Sequence, residues 1–152
     1  MASTASTRLR LELQADGEND STWGSKANTV FNLIEEAVEG YLAKSVAGSS
    51  NITLSSTDYT SDESRQAVLK FTGALTGAID VIVPAVEKTY IVHNATTGAY
   101  ALTFKPAGGS GLVLTQGSKY VVYTDGSTMM QATSEYDGAA PVSIGLVLAL
   151  GG

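Results

Sequence analysis

Apolar side chains follow two different spacings along this chain, and the change from one to the other divides it. Leu9, Leu11 and Leu13 alternate with Arg8, Arg10 and Glu12, the two-residue period of a half-buried strand. Asp16-Gly17-Glu18-Asn19-Asp20 follows as a polar loop. Val30, Phe31, Ile34, Ala37, Val38, Tyr41 and Leu42 then recur at steps of three and four, with Glu35, Glu36 and Glu39 off the stripe. That spacing predicts one amphipathic helix over 26–44, about 28 Å long. Gly40 weakens its last turn, and Gly48-Ser49-Ser50 ends the segment.

From Asn51 onward the period is two, in short runs broken by turns. Strands are predicted over 51–55, over 66–72 with Ala67, Leu69 and Phe71 on one face, and over 78–83, which Pro84 ends. Further strands are predicted over 88–94, where Tyr90 and Val92 oppose Ile91 and His93, and over 100–105. Thr60 and Glu63 have capping-box spacing and predict a single helical turn. Asn94–Gly98 reads as a loop and Gly108-Gly109-Ser110-Gly111 as a turn. Asp125-Gly126 lies between Lys119–Thr124 and Ser127–Thr133, the signature of a type I′ hairpin with positive φ at both turn residues. No internal repeat stands out. The expected fold is mainly β: an N-terminal arm and one amphipathic α-helix, then an antiparallel β-sandwich or barrel-like domain. Its divisions are an arm and loop at 1–24, the helix at 25–48, the antiparallel β domain at 49–136 and an apolar C-terminal strand at 137–152. In that last stretch Val142, Ile144, Leu146, Leu148 and Leu150 alternate with smaller residues. Each large side chain left in water would cost about 1.5–3 kcal/mol. The strand therefore either completes the chain's own core or adds to a neighbouring subunit.

Composition sharpens this picture. Hydrophobic residues are 43% and charged residues only 16%, against roughly 25% charged in an average soluble domain. Such a surface suits a turn-rich sheet protein or one that hides area in an assembly. The net charge of -6, with no Lys/Arg run, disfavours nucleic acid and anionic membranes as partners. There is no cysteine, so disulfides and thiolate metal sites are excluded. Neither a secretory core nor an apolar stretch of about 20 residues is present, so a soluble product made in the cytoplasm is expected.

The candidate chemistry is thin. His93 is the single histidine and lies in an alternating run, which points to a structural role; no Gly-x-Ser-x-Gly elbow accompanies it. Asp58, Asp62 and Glu63, and separately Asp16, Glu18 and Asp20, could approach a cation, but neither set has the spacing of a calcium loop. A pair of carboxylates for glycoside hydrolysis would need a cleft that the pattern does not suggest. The sequons at Asn51 and Asn94 read as polar loops. The expectation is a non-enzymatic protein without metal or cofactor. Its assembly contacts are expected at Leu9, Leu11 and Leu13 in the arm, at Trp23, Phe31, Ile34 and Val38 on the helix, and at Ile144, Leu146 and Leu148 in the terminal strand. The helix stripe packs either on the chain's own sheet or against symmetry-related helices. The alternative is a receptor- or carbohydrate-binding module with Tyr100, Tyr120, Tyr123 and Tyr136 stacking on sugars, although cross-strand packing is the commoner fate of such tyrosines.

Several segments together carry a family resemblance. They are Trp23-Gly24, Asn28, Asn32-Leu33-Ile34-Glu35, the run from Asp62 to Leu69, Phe71 to Gly77, Val81-Ile82-Val83-Pro84, and Lys88 to Gly98. In this order they resemble a module of tail-fibre-like and other appendage proteins of tailed bacteriophages, over roughly residues 8–133. The resemblance implies a virion protein made in the host cytoplasm, a homotrimer attached to other virion proteins of the capsid or tail. Such modules commonly precede a long variable region that meets a host surface receptor. With the chain ending at Gly152, that region is nearly absent, which favours a short decoration, spike or connecting piece.

Overall fold

The computed structural model describes residues 2–132. The predicted terminal strand, with Ile144, Leu146 and Leu148, and Tyr136 lie outside the described residues. The described chain is mainly β with one helix, and neither large sheet closes on itself.

The arm departs from the expected single strand over 8–13. Thr4–Ala5 (β1) pairs with Glu12–Leu13 (β2), and the chain between them turns through Arg10 at φ 50°. A left-handed non-glycine residue costs on the order of 1–3 kcal/mol. Here the turn swings the Arg10 guanidinium inward to the Asp62 carboxylate at 2.6 Å, a charge-assisted bond that offsets the strain. Alternation therefore misassigned Arg10 to solvent.

The helix (α1) spans Trp23–Glu39, and Tyr41–Ser45 is already a strand (β3). The stop is at Gly40, which still donates to Glu36 O at 2.9 Å but turns to an extended ψ of 142°. A side chain there would overlap the Glu36 carbonyl and Gln66. Tyr41 and Leu42 continue the three-four spacing by coincidence: Leu42 packs against the sheet core and Tyr41 faces out. Pairing of β3 along Val68–Ala74 (β5) overrides helical periodicity.

The expected antiparallel arrangement is the main correction. After β3 the chain alternates between two sheets: Ile52–Thr53 (β4), the 3₁₀ turn Glu63–Arg65, β5, Ile79–Val83 (β6), Glu87–Thr97 (β7) and Leu102–Pro106 (β8). Strands β3, β5 and β7 are parallel neighbours in one sheet; β4, β6 and β8 are parallel neighbours in the other. The chain thus winds through both sheets in successive passes. The distance in sequence between stacked positions changes from pass to pass (Tyr41 to Val68, then Val68 to Ile91), which is why no repeat shows in the sequence. Within the two large sheets, antiparallel pairing is confined to the later strands: Leu112–Leu114 (β9) on β8, Lys119–Asp125 (β10) on β7, and Met129–Gln131 (β11) on β10. The sheet orders are β11-β10-β7-β5-β3 and β4-β6-β8-β9.

The inner faces share one core. Leu69, Phe71, Tyr90, Val92 and Val122 from the first sheet meet Ile79, Val81, Val83, Leu102, Phe104 and Leu114 from the second. Phe104 lies 5.7 Å from Phe71 and, edge-on, 5.4 Å from Tyr90. Asn94, expected to open a loop, is instead buried within β7. Its Nδ2 donates to Leu114 O at 2.8 Å and its Oδ1 accepts from Thr96 Oγ1 at 2.7 Å, so its polar atoms tie β7 to β9. The hairpin at Asp125-Gly126 forms, but only Gly126 has positive φ. Asp125 Oδ1 instead accepts from the Ser127 and Thr128 amides, which replaces the type I′ turn. Likewise Asp62, not Thr60, caps the short helical turn, accepting from Arg65 N at 2.8 Å.

Candidate functional site

Among the described residues two apolar surfaces face solvent, and both carry apolar positions that the described core does not use. The first is on α1. Leu33 is its one fully buried residue, with Val30 and Ala37 half-buried beside it. Trp23, Phe31 and Val38 are 66%, 65% and 63% exposed, and Ile34 is 38% exposed. These four fall within about 80° of the helix circumference, adjoining the buried edge. The helix therefore has an apolar sector of which its own fold covers only one margin. The exposed part of the stripe is not covered by the chain's own sheet, and α1 sits against the Glu63–Arg65 turn. It is held there by Glu36–Gln66 at 3.3 Å and Lys26–Glu12 at 3.1 Å.

The second surface is the outer face of the five-stranded sheet. Tyr41, Val68, Ile91 and Val121 are register partners on β3, β5, β7 and β10. They form one apolar row across four strands, with Tyr41, Ile91 and Val121 exposed. Two residues further along lies a second row, Ala43, Lys70, His93 and Lys119. Its partial burial and the two flanking lysines hold the His93 imidazole below its usual pKa. His93 thus faces outward beside lysines and makes no side-chain hydrogen bond among the described residues, unlike the satisfied structural histidine that was expected.

A buried polar cluster fixes the arm next to α1. Arg65 is 1% exposed and donates to the carbonyls of Leu9, Thr57 (3.1 Å) and Thr60 (3.1 Å) and to Asp62 (3.2 Å). Asp62 also accepts from Arg10, from Thr57 N at 3.0 Å and from Ser64 Oγ at 2.9 Å. Burial alone would push the Asp62 carboxyl up; these donors outweigh it and hold it below the usual carboxylate range. Tyr90 donates to Ser64 O at 3.1 Å, and burial drives its hydroxyl pKa upward. Lys88 Nζ stands 4.5 Å from the Tyr90 ring centre. Burial first, then repulsion from Arg65 and Arg10, lowers the Lys88 pKa to about 8.

The structure separates the expected assembly residues. Trp23, Phe31, Ile34 and Val38 share one exposed sector; Leu9 and Leu11 are half-buried in the arm turn and Leu13 is exposed on β2. Three of the six acidic candidates are engaged internally: Asp62 by the arginines, Glu63 by Lys44 and Ser55 N, and Glu18 by Ser3 Oγ at 2.7 Å. Of the sugar-stacking tyrosines, Tyr120 packs against the core and accepts from Thr115 N at 2.9 Å. Tyr123 pairs with Thr89 near the start of β7, while Tyr100 follows its far end, so the two do not form one platform. A shallow groove lined by Asn32, Glu35, Glu36, Glu39 and Gly40 carries no aromatic side chain. Sequence reasoning missed the outer row of the sheet. The signal was present: Tyr90-Ile91-Val92 and Tyr120-Val121-Val122-Tyr123 are apolar on both faces, the mark of strands covered on both sides. No helix among the described residues is long and apolar enough to cross a membrane. No family model, curated protein or solved structure matches this chain.

Proposed function

We propose that this chain is a non-enzymatic structural protein of a tailed-phage particle. It would be an oligomeric appendage, such as a tail-fibre, head-fibre or capsid-decoration component, that works by associating with copies of itself and with other proteins of the capsid or tail. In this reading the two sheets form a sandwich-like body, and α1 with the outer sheet face supplies the contacts. The observation that carries the proposal is the exposed sector Trp23, Phe31, Ile34 and Val38 on α1, beside which the outer sheet face offers a second apolar row, Tyr41, Val68, Ile91 and Val121. Contiguous apolar surface of this kind marks interaction sites in proteins that are otherwise well folded. A ring of three copies is the arrangement the family resemblance implies, and cyclic closure of a heterologous contact prevents open-ended growth.

The test is direct localisation. Antibody raised against the purified chain should decorate intact particles at one fixed position in electron micrographs. Labelling of infected-cell extract but of no particle would refute the virion role.

A further inference from the structure

We propose that the partner of the exposed helix face is the outer sheet face of a second copy of this chain, so that α1 of one protomer lies across β3, β5, β7 and β10 of the next. This rests on the self-association proposed above and says what meets what.

The two surfaces match in length. Four strands about 4.8 Å apart make the row Tyr41–Val68–Ile91–Val121 about 14 Å long. Phe31 to Val38 covers about 10 Å along the helix axis, so Phe31, Ile34 and Val38 can lie along that row. They also match in charge. Glu35 and Glu39 border the Phe31 side of the apolar sector. Lys70 and Lys119 border the apolar row at about 7 Å, two residues along their strands. None of these four side chains has an ion-pair partner among the described residues, whereas Lys26, Lys44 and Lys105 are paired internally with Glu12, Glu63 and Asp80. The C-terminal half of α1 also carries Glu35, Glu36 and Glu39, with no basic residue in its last turn. Negative charge at that end opposes the helix dipole, and lysines brought by a neighbour relieve it. Within the protomer α1 is held at the Glu63–Arg65 turn and its own sheet leaves the Trp23, Phe31, Ile34 and Val38 sector exposed. Helix on sheet is a heterologous contact, so each copy offers both halves and the set closes as a ring.

Charge reversal of the full chain, read by light scattering behind size exclusion, tests this. Lys70→Glu with Lys119→Glu should raise the dissociation constant of the assembly at least about tenfold, as should Glu35→Lys with Glu39→Lys. All four together should restore wild-type mass. Far-UV circular dichroism checks that each variant is folded, and the neutral pair Lys70→Gln with Lys119→Gln gives a milder version of the same test. If both reversals leave the mass unchanged while Phe31→Ser with Val38→Ser lowers it, the helix meets some other surface. This inference then fails and self-association stands. A monomeric wild type would remove both.

Discussion

Replacing Asp62 with asparagine should cost the fold about 3–5 kcal/mol, the toll of stranding a buried charge. The size of the effect follows from what the carboxylate does. Its side chain is 1% exposed, and it is the acidic partner of Arg10 (14% exposed) and Arg65 (0% exposed). Asparagine keeps the size and one acceptor oxygen, so the capping bond to Arg65 N can survive. The counter-charge is lost, and Arg65 retains only the carbonyls of Leu9, Thr57 and Thr60. At fixed protein concentration the midpoint of thermal unfolding should fall by on the order of 10–15 °C. Trypsin should also cut faster after Arg8 and Arg10, because the arm is tied to the body through Arg10, Arg65 and the Tyr59 N to Arg10 O bond at 3.0 Å. The control is Arg8→Met. Arg8 meets Glu87 at 2.8 Å with both side chains more than half exposed, so water and salt screen the pair and its loss should leave the unfolding midpoint unchanged. Denaturant unfolding followed by circular dichroism reads both variants. An Asp62→Asn protein within about 0.5 kcal/mol of wild type, with unchanged cleavage of the arm, would show that the cluster does not hold the arm in place.

Other outcomes follow from the same geometry. The lowered pKa of Asp62 means its stabilising effect is fully present above the unfolded value of about 4 and is lost as pH falls through the lower folded value. Wild type should therefore lose stability below about pH 4 more steeply than Asp62→Asn, and parallel acid titrations would contradict this. Lys88 has the opposite sign. With a folded pKa of about 8 against 10.5 unfolded, the unfolded chain binds the extra proton between those values, so stability rises with pH across that window. The rise from pH 7 to 9.5 should be about 2 kcal/mol at most and absent in Lys88→Met, measured by urea unfolding at each pH. Gly40→Ala should destabilise by about 1–3 kcal/mol, because its Cβ would overlap Glu36 O and Gln66. Its φ of -63° carries no strain of its own, so an unaffected midpoint would mean that this junction gives way freely.

Much of the architecture was legible in the sequence, and the failures share a cause. Alternation located Leu69 and Phe71, Tyr90 and Val92, and the hairpin around Gly126, because one face of each strand enters the core. It could not tell parallel from antiparallel pairing, since both bury every second residue; the winding between two sheets is a long-range choice that no local pattern encodes. Tyr41 and Leu42 carried helical spacing into a strand because β5 offered them a ladder. Alternation put Arg10 on a polar face, and its burial depends on Asp62 being brought to it across 52 positions of the chain; Arg65 is only three residues from Asp62, and the arm closes over it through the Leu9 carbonyl. For the site, Phe31, Ile34 and Val38 were identifiable from periodicity, whereas Trp23 stands before the predicted helix over 26–44 and shares their face because the helix begins at Trp23. The matching sheet row was not, because its members come from four strands spread between Tyr41 and Val121.

The claim on which all of this depends is that the greasy sector of α1 is an intermolecular contact. Sedimentation equilibrium of the full chain, beside the double variant Phe31→Ser with Val38→Ser, measures it most directly. Wild type should form a closed assembly of defined mass. The variant should keep its fold and its unfolding midpoint as a free protomer, since both side chains are exposed and surface changes seldom exceed about 0.5 kcal/mol. Its dissociation constant should rise about 100-fold or more, from about 1.5–3 kcal/mol per lost side chain. A wild-type protein that sediments as a single chain at every concentration, or a variant that assembles as tightly as wild type, would contradict the account.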